Sequence, residues 1–401
     1  MKFSELDGRR IALWGLGRET NALREQLARR LPGAQISAVI DDDTPEPEAR
    51  AAIAQADVLV RSPGVSLYKP LIQETIAAGK PVTTATGLWF AQHGGRHVIG
   101  VTGTKGKSTT ATIIAHLLSQ VTPTELAGNI GRPVIELLDI DPGTWVVCEL
   151  SSYQIADLTT GPEVAVLTNL SREHTDWHGS EERYRADKLR IFDLPGVRAA
   201  VRPLGDRGGW PLPAWANQIP LRGLHNAQNV AAAIAAIDAT GLTIPRLPEA
   251  LEGIVPLPHR LKTVYTDARG VEWVDDSIST TPTSAIAALE AFGERPVVLI
   301  AGGSRRDQDY DALGRALTQR SGTLLVTLPD TGPEIAAAAA AHGFGGDRMS
   351  TAGDMREAIR MASVLSVPGG VVLLSPAAPS FNAYENFEQR GDDFATLALR
   401  A

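Results

Sequence analysis

The chain has 401 residues, longer than one ordinary domain, and that length predicts roughly two to three. Its hydrophobic content of 43% is that of a globular protein, and 38 Lys+Arg against 46 Asp+Glu give a net charge of -8, which excludes a general role on nucleic acid or an anionic membrane surface. No apolar stretch approaches the roughly 18 residues of a membrane span, no apolar leader precedes the first strand pattern, and the single Cys148 leaves no internal disulfide, so a cytoplasmic protein is expected.

Short apolar runs alternate with Ala/Leu-rich helical patterns from end to end, as in α/β layers built on mostly parallel sheets. RRIALWGLG from Arg9, ISAVIDDD from Ile36 and ADVLVRSPGV from Ala56 predict three strands of a first Rossmann-like unit over residues 1–90. The turn GLGRET at residues 15–20 resembles a dinucleotide fingerprint, with Asp41 about two dozen residues on, but lacks the third glycine. WFAQHGGRH then separates two patterns, which places a boundary near residue 90.

The second unit, residues 91–256, contains the strand patterns HVIGVTGT, WVVCELSS and VAVLTNLS. Between the first strand and a helical pattern lies Gly103-Thr104-Lys105-Gly106-Lys107-Ser108, followed by Thr109. There, backbone N–H groups and a helix N-terminus converge on phosphate oxygens, Lys107 reaches the β- and γ-phosphates, and Ser108 or Thr109 offers a hydroxyl to Mg²⁺. Glu149 ends the second strand, placed either for Mg²⁺ or to cap the following helix. His174 and His178 are four apart in EHTDWH, but with no further Cys or His cluster a zinc site is disfavoured. Lys188 falls in an amphipathic helix, where a lysine is ordinarily solvated. Residues 203–222, rich in Gly, Pro and Trp, predict a loop, and GLHNAQN after it sets Asn226 and Asn229 three apart, as two readers of a planar ligand or as caps. After LPHR, the patterns VEWVDDS, PVVLIAGGS, GTLLVTLP and GGVVLLSP predict a third, Rossmann-like unit over residues 257–401.

GVTGTKGKSTT, GNIGRPV, ELSSYQ, the EHTDWH and YRADKL pair, GLHNAQN and LPHR together resemble the Mur ligases, ATP-dependent amide-forming enzymes of peptidoglycan precursor synthesis, hence of cell-wall growth and division. The C-terminal LLSPAAPSFNAYENFEQRGDDF is similar to their glutamate-adding branch, and the resemblance covers essentially the whole chain. It implies three α/β domains: an N-terminal Rossmann-like domain for the UDP moiety of the acceptor, a central P-loop ATPase domain, and a C-terminal Rossmann-like domain that closes over both. It implies ATP and two Mg²⁺, with UDP-N-acetylmuramoyl-L-alanine and glutamate as small-molecule substrates, and a monomer without membrane insertion. By the same resemblance, Lys107 and Ser108 hold phosphates and Mg²⁺, Glu149 and His174 belong to the metal site, and Asn129 lies near the reacting phosphate. Lys188 matches a lysine that CO₂ carbamylates into a metal-binding anion, which reverses the solvated reading. Asn226 and Asn229 fall beside adenine, Arg260 at the domain junction, and Asp276 on the ribose. Thr280, Ser380 and Phe387 fall around the incoming glutamate, and Gly17, Arg18, Glu19 and Asp41 around the UDP moiety.

Three features depart from the usual D-glutamate pattern. DSKATN is replaced by DSISTT, with Ile278 in place of lysine. Arg306 stands where a lysine grips the α-carboxylate, and a planar, bidentate guanidinium positions a carboxylate differently. The stretch between Lys188 and Gly223 is also short for the family. These changes lean toward L-glutamate, with the same reaction on D-glutamate as the alternative. Remoter alternatives are a folylpolyglutamate synthetase and a non-catalytic nucleotide-binding regulator.

Overall fold

Strands buried on both faces need uninterrupted apolar side chains, and the apolar runs of this sequence become such strands in three separate sheets. A computed structural model describes residues 1–171, 175–204, 209–215, 221–254, 257–306 and 308–400, with only the backbone at 175–176. The first sheet is formed by β1 (Arg10–Trp14), β2 (Gln35–Ile40), β3 (Val58–Arg61) and β4 (Val82–Thr83), all parallel in the order β2-β1-β3-β4. The second comprises β5 (Val98–Thr102), β6 (Thr124–Gly128), β7 (Trp145–Glu149), β8 (Val164–Leu167) and β9 (Ala199–Val201), parallel in the order β6-β7-β5-β8-β9. The third joins β10 (Lys262–Thr266), β11 (Glu272–Asp275), β12 (Val297–Gly303), β13 (Thr323–Asp330), β14 (Met349–Thr351) and β15 (Val371–Leu374) in the order β10-β11-β15-β12-β13-β14. Only β10 runs antiparallel to its neighbour there.

Strands β4, β6, β9, β10 and β14 were not expected from the sequence, and every one is an edge strand. An edge strand has one neighbour and wets part of its length, so its residues carry no continuous apolar run. In residues 203–222, the described positions hold no element beyond a single bridge between Leu204 and Gly209.

The chain divides into two compact units, residues 1–219 with 227–254, and residues 220–226 with 255–401. The first two sheets share the first unit through one apolar core, in which Leu88, Trp89 and Phe90 of the helix Ala85–His93 join Val134, Ile135 and Leu137. The second unit covers its sheet with two apolar layers, one including Leu299, Leu313 and Phe344, the other Trp273, Ile300 and Phe394. In the second sheet the chain order reverses around β5, which lies between β7 and β8. In the third, β15 returns between β11 and β12. Loops leaving the carboxyl ends of strands diverge at such reversals and open a crevice.

Candidate active site

Strand β5 leads into Gly103, and the helix Lys107–Leu118 begins directly after Gly106. Gly103 and Gly106 have φ of 150° and 78°. A Cβ at Gly103 would come within 1.9 Å of Thr168 Oγ1, and one at Gly106 within 2.2 Å of Asn229 Oδ1. Only glycine fits either place. The loop is gripped by the segment after β8: Lys105 N donates to Asn169 Oδ1 at 2.9 Å, and Asn169 Nδ2 and Thr168 Oγ1 donate to Lys105 O at 2.9 and 2.6 Å. Thr104 Oγ1 accepts from Ser171 N at 2.9 Å and lies 2.8 Å from Tyr184 Oη. The N–H groups of the first helical turn are thereby aimed in a fixed direction, as an anion site requires. Lys107 Nζ lies over the loop, donating to Thr104 O at 2.9 Å.

Glu149 ends β7, paired in register with Val101, two residues before Gly103. It is 1% exposed; Oε1 accepts from Asn129 Nδ2 at 2.9 Å, while Oε2 has no partner among the described residues. The capping alternative for Glu149 does not hold, because Ser151 caps the next helix, its side chain accepting from Gln154 N. Lys188 is only 2% exposed, and Nζ donates to Gly103 O at 2.8 Å. The solvated reading of Lys188 therefore fails: the helix Glu181–Leu189 turns it inward, onto the glycine loop after β5.

Among the described residues no group of three or more His, Cys, Asp or Glu side chains is gathered to hold a metal by itself, and His174 lies outside them. Glu149 Oε2 and Thr109 Oγ1 are buried without partners among the described residues, and Ser108 is half-buried at the helix start. Oxygen donors of this number suit Mg²⁺, which keeps waters and substrate phosphates in its remaining positions. The residues fit the ion.

A cavity of about 870 Å³ opens in the first unit, lined by Gly15, Gly17, Ser62, Lys69, Trp177 and Arg183 among others. Of the four residues expected around the UDP moiety, only Gly17 lines it. Arg18 donates instead to the carbonyls of Gly128, Asn129 and Gly131 at 3.1, 2.8 and 3.1 Å, holding the loop that carries Asn129. Glu19 turns into the core, where Oε2 accepts from Thr86 Oγ1 at 2.7 Å and burial raises its carboxyl above the ordinary value. Asp41 borders a separate cavity of about 230 Å³ with Trp14, Thr44 and Lys69. Lys69, Trp177 and Arg183 were missed, since they come from three segments that only the fold brings together.

In the second unit Asp276 follows β11 and is buried, Oδ1 accepting from Leu261 N at 3.2 Å and Oδ2 from Ser375 Oγ at 2.7 Å. Burial pushes its carboxyl up to about 6. Arg260 stands between His259 and Leu261, whose φ of 59° and 47° are left-handed and uncommon for side chains of this size. His259 Nδ1 lies 2.7 Å from Asp275 Oδ2. Asn226 donates to Arg222 O at 2.6 Å, whereas Asn229, in the first unit, packs against Gly106. Thr280 is half-buried, its carbonyl accepting from Gln308 Nε2 at 3.2 Å. Ser380 is buried, its carbonyl accepting from Ala383 N and Tyr384 N, and Phe387 is half-buried at the start of the helix Phe387–Ala398. Arg306 is exposed and has no side-chain partner among the described residues.

The residue missed here is Arg390, 1% exposed. Its guanidinium donates to Ser277 Oγ and O at 2.9 and 2.8 Å and to the carbonyls of Ala378 and Pro379 at 3.1 and 3.2 Å. Burial among neutral acceptors lowers it to about 10, and it staples the loop before Ser380 to the run after Asp276. In the sequence it is one Arg among many in a polar helix; only its neighbour Gly391, where a Cβ would meet His259 Nδ1 at 2.1 Å, hints at close packing.

Residues 101–207 match the family described as the Mur ligase middle domain, and residues 259–378 the Mur ligase glutamate ligase domain. A UDP-N-acetylmuramoyl-L-alanine–L-glutamate ligase of Micromonospora sp. is 39% identical, the alignment covering 98% of this chain and 97% of the relative. A ligase of the same name from Xylella fastidiosa is 37% identical over 99% and 97%. These alignments run to 453 and 454 positions against a chain of 401, so the relatives carry segments absent here. Among solved structures, the UDP-N-acetylmuramate-alanine ligase of Thermotoga maritima matches with a TM-score of 0.61 at 16% identity, covering 98% of this chain and 99% of that one. The MurF ligase of the same organism, in complex with ADP, matches with a TM-score of 0.62 at 16% identity over 100% and 97%. The likeness in fold runs through all three sheets.

Proposed function

The chain belongs to the Mur ligase family, and we propose that its first unit activates a carboxylate with ATP while its second unit holds the amino acid to be joined. It is an ATP-dependent amide ligase that adds L-glutamate to UDP-N-acetylmuramoyl-L-alanine in peptidoglycan precursor synthesis. The relatives are named for L-glutamate, and nothing in them supports the D-glutamate alternative. The observation that carries the assignment of roles is the convergence of Lys107, Lys188 and the Glu149–Asn129 pair on one phosphate loop.

A carboxylate is a poor acylating agent, so the acceptor carboxylate first attacks the γ-phosphorus of ATP and displaces ADP. Two anions must meet in that step. Lys107 and the N–H groups after Gly106 neutralise charge on the transferring phosphoryl group. Glu149 and Ser108 would hold Mg²⁺, which when bound would supply further charge neutralisation at the phosphates. Asn129, fixed by Glu149 and by the Arg18 contacts to its loop, positions its amide beside the transfer. The acyl phosphate then receives the amine of glutamate, and collapse of the tetrahedral intermediate leaves the amide and inorganic phosphate. Lys188, if carbamylated, would offer an anionic oxygen to the metal in place of a cation. The 870 Å³ cavity takes the UDP-sugar, and Arg306 and the Ser380 loop take the glutamate. A cytoplasmic enzyme is the reading that two nucleotide substrates support, and no helix among the described residues is long and apolar enough to cross a membrane.

Phosphate release from ATP, measured with UDP-N-acetylmuramoyl-L-alanine and each glutamate enantiomer, tests the reading. Turnover with L-glutamate is expected. Turnover with neither enantiomer sinks the ligase assignment, and a preference for D-glutamate overturns the choice of amine.

A further inference from the structure

One buried polar chain in the first unit has no part in the chemistry above. Tyr68, which lines the 870 Å³ cavity, donates its hydroxyl to both oxygens of Asp187, at 2.8 and 2.7 Å. Asp187 Oδ2 also lies 2.7 Å from His178 Nδ1, and His178 Nε2 lies 3.0 Å from Ser152 Oγ. An ionised carboxylate only accepts, so the network assigns the Nδ1–H tautomer to His178, with Ser152 donating to Nε2. His178, Asp187 and Ser152 are all buried. Burial and the adjacent Asp187 carboxylate hold the Tyr68 phenol well above its ordinary value, so the hydroxyl stays a donor.

Asp187 immediately precedes Lys188 on the helix Glu181–Leu189. The same helix sends Arg183 back over the Tyr68 ring, 4.5 Å from its centroid, and Arg183 lines the cavity too. One face of this helix therefore borders the cavity, while the next residue, Lys188, touches the phosphate loop at Gly103 O. Tyr184 and Leu189 seat the helix on apolar neighbours, whereas Asp187 itself meets the polar groups of Tyr68 and His178.

We propose that Tyr68 and Asp187 are positioning residues that tie the wall of the acceptor cavity to Lys188, so that the cavity and the phosphate loop share one register. This rests on the ligase reading for the meaning of the cavity, but not for the geometry of the link. Losing the link frees Lys188 to move, and a misplacement of about 1 Å can slow an oriented reaction by up to about 100-fold.

The test uses Tyr68→Phe, which keeps the ring under Arg183 and removes only the hydroxyl, with Asp187→Asn and the double variant alongside. In phosphate release, Tyr68→Phe is expected to lower kcat about tenfold with the KM for the UDP-sugar acceptor within about twofold, and the double variant to be no slower than Asp187→Asn alone. In CO₂-depleted buffer, acylation of Lys188 by acetic anhydride, mapped by peptide mass spectrometry, is expected to run at least about fivefold faster in Tyr68→Phe than in the parent protein. A rise in acceptor KM with kcat unchanged would make Tyr68 only a cavity wall and overturn the proposal. So would additive losses in the double variant, or a Lys188 acylation rate equal to that of the parent. The acylation arm needs no turnover, so it decides the link even if no acceptor is turned over and the ligase reading fails; Tyr68→Phe carries both arms if Asp187→Asn does not fold.

Discussion

Two strand-to-helix turns, one in each unit, meet opposite demands. The loop after β5 is clamped by Thr168, Asn169 and Ser171, yet beside it Glu149 Oε2 and Thr109 Oγ1 are left without partners among the described residues. The run after β11 is clamped as firmly, but there Asp276 accepts from Leu261 N and Ser375 Oγ, while Ser277 and Arg390 bond to one another and to backbone carbonyls. Buried polar atoms without partners are costly, and they persist where a ligand completes them. On the proposed reading the first turn leaves atoms for a ligand to complete, while the second is a rigid floor, with Arg306, proposed to take the glutamate carboxylate, exposed.

The sharpest way to break that contrast is to remove charge from the first turn. Lys107→Ala should lower kcat for phosphate release by about 10³-fold or more, since a preorganised cation at developing charge is worth at least that. A loss within tenfold would show that the loop only binds ATP. Glu149→Gln keeps an acceptor for Asn129 and removes the anion. It should cost about 10² in kcat and raise the Mg²⁺ concentration needed for half-maximal rate, while the melting temperature holds or rises, because a buried uncompensated charge is gone. A variant that is both slow and less stable would place Glu149 in the scaffold rather than at the ligand.

The second turn gives a smaller effect, of opposite kind. Asp276 is held at about 6 by burial, above the value near 4 of an unfolded chain. The folded unit therefore binds this proton more tightly than the unfolded chain does. The stabilisation is full below about pH 4 and is lost as the pH rises through 6, an effect of about 1–3 kcal/mol. Urea unfolding of Asp276→Asn should lack that slope, so that the variant gains on the parent between pH 4 and 7.5. A parent-minus-variant difference that stays constant over this window would mean the carboxyl is not held above its ordinary range.

The contrast also explains which parts of the site could be read before folding. The phosphate loop was legible because its working atoms are consecutive, Gly103 to Thr109, and a strand and helix pattern flanks them. The cavity was not, because Lys69, Trp177 and Arg183 are scattered, and the glycine turn drew attention to its neighbours Arg18 and Glu19, whose side chains turn to the Asn129 loop and the core. Residue identity on the helix Glu181–Leu189 suggested solvent for Lys188, since burying a lysine is decided by what the helix packs on and not by the helix itself. Arg390 escaped for the same reason. Apolar central strands announced themselves, whereas five of the six edge strands did not, β2 being the exception.

Arg306 offers the finest test, because it separates the floor of the second turn from its reader. Its guanidinium is exposed and has no side-chain partner among the described residues, so removing it unseats nothing in the fold. Arg306→Ala should leave the melting temperature unchanged and raise the KM for L-glutamate about tenfold, the worth of one charge-assisted contact to a carboxylate partly screened by water. Arg306→Lys keeps the charge but loses the planar fork, and should recover only part of that KM. If lysine restores glutamate affinity fully, charge alone suffices at this position and the fork plays no part in selecting the amine. If alanine leaves the KM as it was, the carboxylate is held elsewhere, and the contrast between a ligand-completed first turn and a second turn read by one exposed cation fails.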